Sequence, residues 1–242
     1  RGPFVWPEGN GFIVKHLLKT LREHIRPASM VTRIEDGRTI RVLTEQTEYL
    51  AQSVIWAAPT FLLPYVFAGA PDAGGLVYSP WWTANLTLHR LPKEHNSELA
   101  WDNVIYDSPS LGYVVATHQS LRTHIERSVW TYYFAMADGS PAENRKTLLS
   151  RDWGYYRDCI LRDLERAHPD IRECVSHIDV MRMGHAMARP TLGFLQGRRK
   201  LTEWGSNIVL ANSDLSGFSI FEEAQYRGVQ AADRMLRRLG KG

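Results

Sequence analysis

Phe12, Ile13, Leu17, Leu18 and Leu21 recur at helical spacing, which predicts a helix from about Gly11 to Glu23; Pro27 bars its continuation. Val31 to Ile34 and Ile40 to Leu43 then read as short strands about the turn pair Asp36-Gly37. Tyr49 to Ala58 ends in a nearly continuous apolar run of the kind buried on both faces of a sheet, and Pro59 stops it. Thr60 to Phe67 is a short helix candidate. A stretch rich in Gly and Pro over 69–80 marks a domain boundary.

Beyond that boundary the period changes to two. Thr83 to His89 alternates cleanly, and Trp101 to Tyr106, Tyr113 to His118, Ser128 to Phe134 and Val175 to Gly184 are further strands. Pro141 to His168 is helical with a break near Ser150, and Pro169 ends it. The block reads as an antiparallel sheet with a helical insertion.

A third block starts near Leu201. Asn207 to Ala211 is a short buried strand, expected beside Val54 to Ala57 because neither segment has partners enough for a sheet. Residues 3–67 and 207–239 should therefore pack together. Ser219 and Glu222 form a capping-box pattern at the head of a last helix that runs to about Leu239, with Arg237, Arg238 and Gly240 as its C-terminal signature. Ala224, Gly228 and Ala232 form a row of small residues suited to close helix packing.

Composition adds bounds. The chain has 242 residues, a formal net charge of +3 and scattered basic residues, which gives no footprint for nucleic acid. Its two cysteines form no CxxC pair and no disulfide framework. No apolar run reaches the roughly 18 to 20 residues of a membrane span. The nine histidines lack ligand spacing and companion acids, so no metal is expected. The chain opens on Arg1, read as a processed or cut end with any targeting signal upstream, and the compartment is not legible.

Gly9-Asn10-Gly11-Phe12-Ile13-Val14 imitates a dinucleotide fingerprint but fails it: Val14 stands at the third glycine position and Trp6-Pro7-Glu8 is no central strand. It reads as a tight turn into a helix. Many aromatic residues lie in the middle block, among them Trp82, Tyr132 and Tyr156, where they serve core packing or line an apolar or cation-holding pocket.

Three separated segments together resemble flavin-containing amine oxidases and phytoene desaturases, spermidine-dehydrogenase-like members most of all. The first is Pro7-Glu-Gly-Asn-Gly-Phe-Ile-Val-Lys-His-Leu. The second is Val31 to Leu43 followed by Val54-Ile-Trp-Ala-Ala-Pro59. The third is Ile208-Val-Leu-Ala-Asn-Ser-Asp-Leu-Ser-Gly-Phe-Ser-Ile-Phe-Glu-Glu-Ala224 with Gly228 and Ala232. Pro80 to Leu88 and Arg182 to Met187 fit more loosely. The family's N-terminal glycine fingerprint is absent, and its Ala-Gly-acid turn is here Ala211-Asn212-Ser213-Asp214, with the acid one position later.

The resemblance implies an α/β (α+β) chain in two domains. Residues 1–68 and 201–242 would form part of an FAD-binding domain, and 69–200 a substrate domain with an antiparallel sheet and helices. It implies FAD in the full-length protein, and hydride transfer to it from an amine or similar activated C–H; without the fingerprint, this chain alone should not retain FAD. Cofactor contacts fall on Val31, Ala57, Ala58, Pro59, Ser213, Asp214, Phe218, Ser219 and Ile220; Ser219 has helix capping as its alternative role. Trp82, Asn85, His118 and Tyr132 are the expected substrate-pocket residues and His185 the expected base, with a structural histidine as the alternative. The partner is a small molecule, and an apolar surface left by the missing segment would favour self-association. The rival readings are a cofactor-free binding fragment and a desaturase-like or porphyrinogen-oxidase-like flavoenzyme.

Overall fold

A computed structural model describes residue 6 and residues 8–71, 76–93, 99–120, 124–204 and 207–241. Among them the helices are α1 (Gly11–Leu21), α2 (Leu63–Val66), α3 (Pro141–Ser150), α4 (Trp153–Leu164), α5 (Ile171–Cys174), α6 (Phe194–Glu203) and α7 (Phe221–Arg238). The strands are β1 (Val31–Glu35), β2 (Ile40–Thr44), β3 (Glu48–Ala51), β4 (Val54–Trp56), β5 (Val77–Leu88), β6 (Asp102–Asn103), β7 (Tyr113–Val115), β8 (Ser128–Ala135), β9 (Val175–Arg189) and β10 (Ile208–Leu210). The chain is thus an α/β protein, and among the described residues no helix is long and apolar enough to cross a membrane.

The chain divides into two compact units, residues 1–25 with 79–186 and residues 26–78 with 187–242. The changeovers fall at 25/26, 78/79 and 186/187, the last two inside the long strands β5 and β9. Residues 8–10 form the expected turn, with Gly9 at φ +58°, and deliver the chain into α1. α1 buries none of its residues, and Phe12, Val14, Leu17 and Leu21 are exposed.

The first unit is built on a sheet of order β6-β7-β8-β5-β9. β5 pairs antiparallel with β8, and β8 with β7, so side chains alternate in step across the sheet. Trp82, Ala84, Leu86 and Leu88 of β5 and Trp130 and Tyr132 of β8 are buried in one cluster with Leu148 of α3, Ile160, Leu161 and Leu164 of α4, and Ile178 of β9. Each buried Leu or Ile side chain contributes about 1.5–3 kcal/mol by leaving water. The helical stretch breaks where expected. Ser140 caps α3 through the Glu143 N–H at 3.5 Å, and Asp152 caps α4 through the Tyr155 N–H at 2.8 Å. The strands expected over 101–106 and 113–118 shrink to β6 and β7, and Ala116 to Gln119 turns as a 3₁₀ helix.

The second unit holds an antiparallel sheet β1-β2-β3 and a parallel pair of β4 with β10. In that pair Ile208 lies opposite Val54, Val209 opposite Ile55 and Leu210 opposite Trp56, as their shared lack of partners predicted. β10 is buried on both faces. Ile208 and Leu210 join a cluster with Ile34, Ile40, Trp56, Leu63, Phe67, Leu201 and Leu215, while Val209 and Ala211 pack with Ala231 and Met235 of α7. The expected packing of residues 3–67 on 207–239 therefore holds for the part from residue 26 onward.

Three local expectations need correction, and one helix lies where none was expected. Tyr49 to Ala58 is not one strand: β3 pairs with β2 and β4 with β10, and Ile55 is exposed rather than buried on both faces. The capping box does not form, because the N-cap of α7 is Ile220 with no side-chain bond and Ser219 lies one residue further out. The small-residue row of α7 is not its buried stripe: a Cβ added at Gly228 would meet nothing within 4 Å, and the buried residues are Ala231 and Met235. α6 was not foreseen; its N-cap Gly193 takes φ +87°, and Phe194 and Leu201 supply its buried side. The end of α7 is as the sequence indicates. Gly240 at φ +65° donates to the Arg237 carbonyl at 3.2 Å, and Lys241 to the Leu236 carbonyl at 2.9 Å, which is the Schellman pattern.

One glycine is fixed by both conformation and space. Gly112 has φ +91°, and a Cβ there would stand 1.9 Å from the Asn103 carbonyl oxygen across the β6–β7 pair. Gly112→Ala should therefore cost about 3 kcal/mol or more of stability in urea denaturation, by backbone strain and by the overlap. A cost under about 1 kcal/mol would show that β6 does not press on this turn.

Candidate functional site

In open α/β sheets, ligand-binding loops leave the carboxyl ends of parallel strands. Here those ends are Trp56 and Leu210, and the pairing extends one step further through the Ala211 N–H on the Trp56 carbonyl at 2.9 Å. From this point the chain turns twice, over Ala57–Thr60 and over Asn212–Gly217, and side chains stitch the two turns together. Asn212 donates to the Ala57 carbonyl at 3.1 Å and accepts from the Asp214 N–H at 2.9 Å. Asp214 is buried, and its Oδ2 accepts from the Thr60 N–H and from the Tyr78 hydroxyl, each at 2.8 Å. Burial first, and then the Asp214 charge, push the Tyr78 phenol well above its ordinary pKa and keep it a donor. Arg227 of α7 holds the far side of the turn, donating to the Ser216 hydroxyl at 2.8 Å and the Leu215 carbonyl at 3.2 Å.

The structure thus brings Ala57, Ala58 and Pro59 against Ser213 and Asp214. Phe218, Ser219 and Ile220 continue from the same turn, with Phe218 63% and Ile220 49% exposed. Val31, at the start of β1, packs with Ala58 on the same core cluster. The turn therefore has a rigid inner side and an apolar outer rim open to solvent.

The residues expected around a substrate pocket divide between the two faces of the five-stranded sheet. Trp82 and Tyr132 lie on the helix-covered face, their ring centroids 5.4 Å apart. Asn85 is three residues from Trp82 and so points to the opposite, open face, where its Oδ1 accepts from the Thr131 hydroxyl at 2.8 Å. Tyr133 shares the open face; burial raises its phenol to about 12. On β9, Arg182 donates to the Leu148 carbonyl of α3 at 3.3 Å and Gly184 lies against Arg145 of α3. Alternation along β9 then puts His185 on the open face, but further along the sheet than Asn85, because the start of β9 runs beside the end of β5: the His89 N–H donates to the Cys174 carbonyl and the Ser176 hydroxyl to the Thr87 carbonyl, each at 3.0 Å. Partial desolvation, followed by the Arg145 charge, lowers the His185 pKa from 6.5. His118 sits in the 3₁₀ turn after β7, exposed, and joins neither group.

One polar centre was missed in the sequence. Asp163 of α4 is 8% exposed and accepts from Ser108, Ser110 and Tyr132 at 2.7 to 2.9 Å, with Arg166 at 3.3 Å. Its signal was present: Tyr156, Ile160, Asp163 and Leu164 share the helical row that faces the core.

Comparison with known proteins gives a fold and no sequence family. No family model matches the chain, and no curated protein matches it. Among solved structures it is similar to cyclohexylamine oxidase from Brevibacterium oxydans IH-35A, with a TM-score of 0.67 at 11% identity, over 96% of this chain and 53% of that one. It is similar to putrescine oxidase in the wild-type structure bound to putrescine, with a TM-score of 0.68 at 12% identity, over 93% of this chain and 52% of that one. A protein assigned as a protoporphyrinogen oxidase from Exiguobacterium sp. 255-15 gives 0.67 at 13% identity, over 96% and 52%. The chain thus has an α/β fold that resembles a portion of these oxidases and spans about half of their length.

Proposed function

We propose that this chain is part of an FAD-dependent oxidoreductase of the amine-oxidase type. The observation that carries the reading is the fold likeness to amine oxidases over nearly the whole chain. The chemistry supplied by the bound cofactor is acceptance of a hydride from the carbon beside an amine nitrogen. The residues present fit one part of that cofactor. The rim made by Ala57, Ala58, Pro59, Ser213, Phe218, Ser219 and Ile220 offers apolar surface and backbone amides, and Asp214 holds it from within. The fit stops at the pyrophosphate, since the chain carries no glycine-rich strand–turn–helix to cradle phosphates.

On the substrate side the open face of the sheet supports roles for two residues. Asn85 orients a polar group of the substrate, and His185 takes a proton at a ring nitrogen. Trp82 and Tyr132 lie on the other, helix-covered face, where both also line a cavity. Self-association through the apolar surface left by the missing segment is part of this reading, and the exposed apolar row of α1 is one candidate for that surface.

Two measurements test this. The purified 242-residue chain mixed with excess FAD and desalted should show no stoichiometric flavin absorption, because the pyrophosphate has no cradle; a one-to-one flavin band would contradict it. In the flavin-loaded full-length protein, the rate of flavin reduction by a small amine should rise with pH as the His185 imidazole loses its proton. The midpoint should lie below 6.5, since burial lowers the His185 pKa and only the neutral ring is a base. His185→Ala should remove that inflection and slow flavin reduction about 100-fold. An unchanged profile would strike His185 from the site.

A further inference from the structure

The helix-covered side of the sheet in the first unit contains a cavity of about 470 Å³ that the reading above leaves without a role. That volume is in the range of sites for small organic ligands, roughly 300 to 1,000 Å³. It opens between β8, the loop at Pro109 and helices α3 and α4. Its walls are aromatic and soft: Phe134, Met136, Tyr155, Tyr156 and Cys159, backed by Trp82, which stacks on Phe134 at 5.0 Å and 11°. A flat ring fits such walls by offset or edge-on contact.

The polar groups at the cavity select the charge of that ring. Asp163 lines it, but its acceptor capacity is taken. Ser108 reaches both carboxylate oxygens at 2.8 and 2.7 Å, Ser110 and Tyr132 reach Oδ2 at 2.8 and 2.9 Å, and Arg166 reaches Oδ1 at 3.3 Å. A carboxylate offers about four acceptor sites, so little is left for an ammonium. Arg166 is likewise engaged, donating to the Asp107 and Tyr106 carbonyls at 3.2 and 2.7 Å. Arg162 differs. It lines the same cavity from an exposed position on α4, and although its charge acts on Asp158 and Tyr155, its guanidinium donors form no close hydrogen bond among the described residues. Its donors suit a carboxylate.

We propose that this cavity is a binding site for a planar aromatic carboxylate, its ring between Phe134 and Tyr155 and its carboxylate on Arg162. The site stands on the face of the sheet opposite Asn85 and His185, away from the residues assigned to the cofactor.

Calorimetry on the 242-residue chain with 2-naphthoate tests it, alongside the neutral 2-naphthamide and the cationic 2-naphthylmethylammonium. One-to-one binding of naphthoate is expected, with the amide and the ammonium at least tenfold weaker. Arg162→Gln, an exposed change, should weaken naphthoate about tenfold and leave the amide unaltered. Thr147→Trp, which fills the cavity, should remove both. The wild-type chain supplies a readout that needs no variant. Cys174 is fully buried, so alkylation by iodoacetamide reports Cys159 in the cavity wall, and naphthoate should slow it at least fivefold. No binding at millimolar naphthoate, tighter binding of the ammonium, or naphthoate binding with Cys159 unprotected and Arg162→Gln neutral would each overturn the proposal.

Discussion

The second unit depends on one buried carboxylate. Asp214 and Thr60 are 154 residues apart in sequence, and the bond from the Thr60 amide to Asp214 joins the turns that leave β4 and β10. Two short strands of three residues each have few ladder bonds of their own. Burial of β10 between two apolar clusters supplies the driving force, but that force is non-directional. Asp214, with Asn212 and Tyr78, supplies direction and fixes which backbone atoms of the two turns meet. The outer rim at Phe218 and Ile220 is thereby presented from a rigid base.

The first unit depends on a different constraint, the two-residue period of its strands. One face of the sheet is committed to α3 and α4 by Trp82, Leu86, Trp130 and Tyr132. The other face is left to polar and aromatic groups such as Asn85, Thr131 and Tyr133. Strand parity therefore separates chemistry that a list of residues runs together. It assigns Asn85 and His185 to one side, and Trp82, Tyr132 and Asp163 to the other.

Features set by local physics were legible in the sequence. The break at Ser150, the glycine end of α7 and the turn before α1 follow from caps and turn residues, and one long-range feature, the pairing of the 207–211 run with the 54–57 run, follows from two apolar strands without other partners. Other features decided by a distant partner were not. Tyr49 to Ala58 reads as one strand until β2 and β10 each claim a part of it. Ser219 has the capping pattern, yet α7 starts at Phe221 after an Ile220 N-cap. The parity of Trp82 against Asn85 was available from spacing alone and would have divided the expected pocket at once. Asp163 stands in the core-facing row of α4, but the hydrogen-bonded centre it forms was not legible, because its partners Ser108 and Ser110 come from a loop without a pattern of its own.

Amide hydrogen exchange at Thr60 tests the central claim, that the Asp214 carboxylate holds the two strand-end turns in register. In the 242-residue chain the Thr60 amide should exchange slowly. Asp214→Ala should speed it by about 10- to 100-fold, the scale of a lost hydrogen bond to a charged acceptor, while the Trp130 and Tyr132 amides in the other unit keep their protection. Fast Thr60 exchange in the wild type, or exchange unaffected by Asp214→Ala, would contradict the account.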